Sequence, residues 1–154
     1  MALISENEDR EALLRVVERR TELDGRFTNI RRIGASGGYG HFSLLFSAYD
    51  KALGRAVALK FYDPIRRFDI DATYRFGCFE REAKILEALS GERDVIGWVS
   101  PIRQFTEKFD AGGISLNVPF AYFGLELAQT DLATVISSGS VPPPADLRHV
   151  SRYV

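Results

Sequence analysis

Apolar residues along the chain follow two periods, and their order sketches a fold. Ser5 with Glu8 three residues later has the form of a capping box. The stretch after it, "NEDREALLRVVERRTEL", carries a short helical stripe at Leu13, Val16 and Val17, with Gly25 as the stop. "RFTNIRRI", "SLLFSAYD" and "AVALKFY" then read as three strands, the last two separated by the turn "DKALGR". Pro64 keeps the connection "DPIRRFDID" irregular. A second helix is expected from Ala72 to Leu89, its apolar stripe at Phe79, Ile85, Leu86 and Leu89, closed by Ser90-Gly91. "IGWVSPIRQFTEKFD" and "ISLNVPFAYFGLEL" read as two strands of a hairpin turning at residues 111–113. "TDLATVISSG" is a short helix, "SGSVPPP" a loop, and "ADLRHVSRYV" opens another amphipathic helix. This order predicts an α+β fold: a five-stranded antiparallel sheet with one crossing helix, preceded by an N-terminal helix and followed by short helices.

Composition narrows the function classes. A length of 154 residues suits one domain, and a net charge of −1 argues against a nucleic-acid binder, which carries a basic excess. The single Cys78 excludes an intramolecular disulfide, and with only two histidines a zinc site is not expected. No apolar run has the roughly 18 residues needed to span a bilayer, and the acidic start "MALISENEDRE" is unlike a signal peptide. A cytoplasmic protein is expected. Trp98 reads as strand packing and Cys78 as a small core or border residue.

"GASGGYGHFS", Gly34 to Ser43, admits two chemistries. Gly34-Ala35-Ser36-Gly37-Gly38 fits G-x-S-x-G, the turn that presents a serine nucleophile, with His149 in the right chain order to serve it. That turn needs a helix after it, and the residues after this one read as a strand. A dinucleotide-binding loop fails for the same reason, and the Walker sequence Gly-Lys-Ser/Thr is absent. The run therefore links two antiparallel strands. Four glycines in seven residues exceed what a turn needs and favour close approach of the backbone to a ligand.

Two charges stand out against this background. Lys60 is the one charge in the apolar strand Val57-Ala58-Leu59-Lys60-Phe61. Glu82 lies within the expected apolar stripe of the second helix, with Phe79 three residues before it and Ile85 and Leu86 after it. Breaking a buried ion pair costs about 3–5 kcal/mol, so each lone charge predicts the other as partner.

With the glycine run just upstream, these residues resemble the ATP-binding half of a eukaryotic-type, bacterial-looking Ser/Thr protein kinase. "AVALK" resembles the strand of the phosphate-orienting lysine, and "FEREAKILEAL" resembles the family's helix C, whose glutamate falls on Glu82. The resemblance runs from Phe27 to Val154 and implies the N-terminal lobe fold of that family. Counting back from Lys60 puts Gly38 and Gly40 on the loop's first two glycines and Phe42 on its aromatic. The same count puts Ser43 on the third glycine and Leu45 on the valine that faces the base. Ile33 or Gly37 then lies near the base. Counting forward from Phe27 instead makes Gly34 the first glycine, and the two counts agree only if the loop is about four residues longer than the family's. "FAYFGLELAQTDLATVI" resembles the last lobe strand and hinge. It places Leu125 as gatekeeper and Glu126, Leu127 and Ala128 along the adenine-binding segment. Ala58 faces the base and Asp131 lies near the ribose.

The resemblance implies ATP, with Mg in an intact enzyme, and a division of the chain into an N-terminal flanking helix (1–25), an ATP-binding lobe (26–128) and the truncated start of a second lobe (129–154). His-Arg-Asp and Asp-Phe-Gly, which supply the catalytic aspartate and the Mg-binding aspartate, are absent. The chain alone is therefore expected to transfer no phosphate. An exposed apolar face would await a second lobe, another protein or a second copy of the chain. The alternative is a kinase-like regulatory domain that binds proteins rather than catalysing.

Overall fold

The computed structural model describes residues 6–33, 43–111 and 113–128. Helix α1 spans Glu6–Glu18 and α2 spans Ala72–Ala88. The strands are β1 (Glu22–Leu23), β2 (Phe27–Arg32), β3 (Ser43–Asp50), β4 (Arg55–Tyr62), β5 (Trp98–Ala111) and β6 (Ile114–Glu126). A short 3-10 helix, Pro64–Phe68, joins β4 to α2. The strands form one sheet in the order β1-β2-β3-β4-β6-β5, antiparallel throughout. Among the described residues no helix is long and apolar enough to cross a membrane.

This architecture corrects the expected fold class. The sheet has six strands rather than five, and the described part of the chain holds two α-helices, one on each face of the sheet, rather than a single crossing helix behind a flank. Helix phase explains the extra strand. At roughly 100° per residue, Leu13, Leu14 and Val17 share one side of a helix, whereas Leu23 would lie on the opposite side. One continuous helix could not bury all four. The helix stops at Glu18, and Asp24 and Gly25, with φ of 53° and 66°, reverse the chain. Glu22 and Leu23 then pair with Thr28 and Phe27, and Leu23 is buried with the rest.

The strand period of two sorts side chains onto two faces. On one face lie Leu44, Phe46, Ala48, Val57, Leu59, Phe61, Phe120 and Tyr122, closed over by Leu13, Leu14 and Val17 of α1. β4 pairs with only the last part of β6, Tyr122 to Glu126, so the long β5–β6 hairpin runs on beyond it. Phe105, Phe109 and Leu116 of that extension pack against the same core. Burying a large apolar side chain stabilises by about 1.5–3 kcal/mol, so α1 is part of the fold's main source of stability.

Polar ties fix α1 and the turns around this core. Arg10 meets Asp63 at 2.8 Å, Arg32 meets Glu11 and Glu18 at 3.0 and 2.7 Å, and Arg20 pairs with Glu107. The Tyr122 hydroxyl donates to the Asp24 carboxylate beneath the chain reversal. Asp50, fully buried at the end of β3, accepts from Arg26 Nε and Nη2 at 2.9 and 2.7 Å. It also accepts from the backbone N–H groups of Ala52 and Leu53, which shapes the expected turn before β4.

The Arg26 hydrogen bonds, helped by those two N–H groups, hold the Asp50 carboxyl below the usual carboxylate range despite burial. The stability this represents is present above the unfolded pKa of about 4 and is lost as pH falls through the lower folded value. Asp50→Asn should destabilise the chain by about 3–5 kcal/mol at pH 7, because it strands Arg26 against a neutral group. Urea midpoints taken from pH 7 to pH 2 should show that gap narrowing as wild-type Asp50 is protonated.

Candidate functional site

The opposite face of the sheet is only partly covered. Ala58, Lys60 and Tyr62 alternate along β4 and share this face. Across the ladders, Lys60 lies between Leu45 of β3 and Phe123 of β6, Ala58 between Ser47 and Leu125, and Tyr62 opposite Ser43. α2 covers the Tyr62 end. Tyr62 meets Phe76 and Phe79 edge to face at 5.3 and 5.6 Å, and Phe79 meets Phe123 at 5.0 Å. Lys60 stands at the margin of that cover.

From α2, Glu82 reaches Lys60: Nζ donates to Oε1 at 2.6 Å. The two expected partners are brought together, but not in a buried setting. The Lys60 side chain is 20% exposed and that of Glu82 43%. The reason is a different helix stripe from the expected one. Phe76, Phe79, Ala83 and Leu86 turn to the sheet, whereas Ile85 and Leu89 are 50% and 40% exposed. Glu82 therefore flanks the packed stripe rather than sitting within it. With Glu82 this exposed, the pair lies toward the surface value of about 0–1 kcal/mol, below that of a fully buried pair.

Beyond Lys60, away from α2, the face is apolar, with Ala58 and Leu125 buried and the residues around them partly buried. Ile33 and Leu127 pack in partly buried positions against the cluster of Ala58 and Leu125, and Leu45 is half-buried beside Lys60. The Ile33 N–H donates to the Leu45 carbonyl at 3.1 Å, which holds the end of β2 against β3. Trp98 stacks on Phe123 at 5.5 Å and closes the far side. Trp98 packs from β5, as expected of a strand-packing residue.

At the end of β6 the Glu126 N–H donates to the Gly97 carbonyl at 2.8 Å, and the Glu126 carboxylate accepts from the Gly97 N–H at 3.1 Å. Glu126 is therefore tied to the segment before β5, and Leu127 and Ala128 follow it beyond the last ladder residue. Gly97 is not among the residues expected from sequence, and nothing in its neighbours there singles it out.

Ile33, Ser43, Leu45, Ala58, Lys60, Leu125 and Leu127 thus gather on or beside one face, with Glu82 above them. Gly34, Gly37, Gly38, Gly40, Phe42 and Asp131 lie outside the described residues, as do Ser36, His41 and the segments expected to be helical after Ala128. The glycine run nonetheless joins β2 to β3, which pair antiparallel. A nucleophile turn requires a helix where β3 stands, so the serine-hydrolase alternative is excluded. Among the described residues no group of three or more His, Cys, Asp or Glu side chains is placed to hold a metal ion.

No protein-family model matches the chain, and no curated protein matches it either.

Because the Lys60–Glu82 pair is worth so little to stability, Lys60→Met should shift the unfolding free energy by less than about 1 kcal/mol. A larger loss in chemical denaturation would give the pair a structural role instead.

Proposed function

We propose that this chain binds ATP on the open face of its sheet, and that it is the nucleotide-binding part of a phosphotransferase of the Ser/Thr protein kinase type. One observation carries this: a lysine and a glutamate from different elements stand 2.6 Å apart at the margin of α2's cover, with the glutamate 43% exposed. Such a cation beside an apolar surface suits a nucleotide, with the base against Ile33, Leu45, Ala58 and Leu127 and the phosphates at Lys60. Glu82 fixes the lysine's ammonium and keeps it oriented. The glycine run connects Ile33 to Ser43, both beside this face, and its backbone N–H groups would serve the phosphates. Support comes from this local constellation and from the sequence resemblance, not from the fold, whose six strands and two opposed helices depart from what the resemblance implies.

The sequence holds neither His-Arg-Asp nor Asp-Phe-Gly, the motifs that orient the nucleophile and hold Mg in that family. Binding without turnover is the proposed behaviour of this chain alone, in the cytoplasm, with a protein partner covering its exposed apolar surface. Calorimetric titration with Mg-ATP should show one site that Lys60→Met weakens about tenfold or more, as loss of a phosphate-bound charge requires. Incubation with labelled ATP should give no incorporation above the Lys60→Met background. No heat of binding from the folded chain would overturn the proposal and favour a domain that serves protein contacts alone.

A further inference from the structure

The open end of the β5–β6 hairpin is closed by two residues that hold each other. The Glu126 N–H donates to the Gly97 carbonyl at 2.8 Å, and the Glu126 carboxylate accepts from the Gly97 N–H at 3.1 Å. Both backbone groups of Gly97 are thereby engaged by one residue 29 positions along the chain. Space, not conformation, favours glycine at 97, since its φ is not left-handed. A Cβ there would lie 3.0 Å from a Glu126 carboxylate oxygen and 3.3 Å from the Glu126 Cβ, so a side chain would press Glu126 aside.

This clamp sits where the ladders end. The β4–β6 pairing stops at Val57 opposite Glu126, and the β5–β6 pairing stops at Trp98 opposite Leu125. Leu127 and Ala128 lie past both. The hairpin is already paired from Trp98 to Ala111, so a further tie at this end adds little to holding its strands together. What the tie constrains is the course of the chain beyond Glu126. Leu127 is the residue so directed, and it packs partly buried against the cluster of Ala58 and Leu125. That cluster belongs to the surface proposed for the base.

We propose that the Glu126 carboxylate is a positioning group for the nucleotide base. By holding Gly97 it fixes the direction in which the chain leaves β6, and with it the placement of Leu127 relative to Ala58. The carboxylate touches no ligand atom; it faces Gly97 and acts through Leu127. This inference rests on the ATP reading above. A backbone N–H held by a carboxylate is a charge-assisted bond, stronger than its neutral counterpart, and a glutamine at 126 would still accept the same N–H.

The test compares wild type, Glu126→Ala, Glu126→Gln and Gly97→Val by calorimetric titration with Mg-ATP, and by the amide resonances of the labelled chain at saturating Mg-ATP. Glu126→Ala and Gly97→Val should bind about tenfold more weakly. Glu126→Gln, which keeps an acceptor, should stay within about threefold of wild type. In Glu126→Ala the response of Lys60 to bound nucleotide should persist while the responses of Ala58 and Leu127 shrink, a split that general loosening of the sheet does not produce. Circular dichroism verifies that each variant is folded, and Glu126→Ala decides the matter where Gly97→Val is not. Wild-type affinity in Glu126→Ala, equal losses in the glutamine and alanine variants, or a parallel loss of the Lys60 and Leu127 responses would overturn the proposal. A wild-type chain that binds no Mg-ATP would overturn the ATP reading itself, and this inference with it.

Discussion

Strand alternation in one antiparallel sheet governs everything else in this molecule. Because successive side chains point to opposite faces, β3, β4 and β6 must each supply two unlike surfaces at once. One carries Phe46, Leu59, Phe61, Phe120 and Tyr122 and is sealed by α1. The other carries Ala58, Lys60, Phe123 and Leu125, with α2 packed over one end and Lys60 and Leu45 only partly buried. A one-residue slip in β4 would put Lys60 into the sealed core and Leu59 into the open, so the register that makes the core also places the cation.

The charged residues divide along the same line. Asp50 with Arg26, and Asp63 with Arg10, pair a buried carboxylate with a partly covered arginine and tie chain segments to the closed face. Removing one partner there strands a buried charge. Lys60 is as covered as Arg26, but Glu82 is 43% exposed where Asp50 and Asp63 are buried, so this pair gains less in stability; it bridges the sheet to a helix whose hold on this face is aromatic rather than ionic. The closed face keeps the fold, and the open face has a charge arrangement to spare for a ligand.

Much of this is legible in the residue pattern, for identifiable reasons. β2 to β6 each announce themselves by apolar runs between turn residues, and the charge amid the apolar residues of β4 and the one in the expected apolar stripe of α2 name each other. The features that escape the pattern depend on partners distant in the chain. The end of α1 escapes it because Leu23 fits a helical composition but not the helical phase of Leu13, Leu14 and Val17, and its strand pairing needs the reversal at Asp24. Ile85 and Leu89 read as part of the buried stripe because either phase of α2 offers apolar residues. The aromatic trio Tyr62, Phe76 and Phe79 decides which phase wins. The glycine run can be assigned a connection but not a conformation, since its sequence fixes permissiveness rather than shape.

The central claim is that the two faces differ in kind, one a core and one a binding surface. It is tested most directly by following the backbone amide resonances of the isotopically labelled chain as Mg-ATP is added. Shifts concentrated at Ile33, Leu45, Ala58, Lys60 and Leu125 to Ala128, with α1 and the distal β5–β6 hairpin unmoved, are the result expected. Shifts centred on α1, or none at millimolar nucleotide in a folded sample, would contradict it.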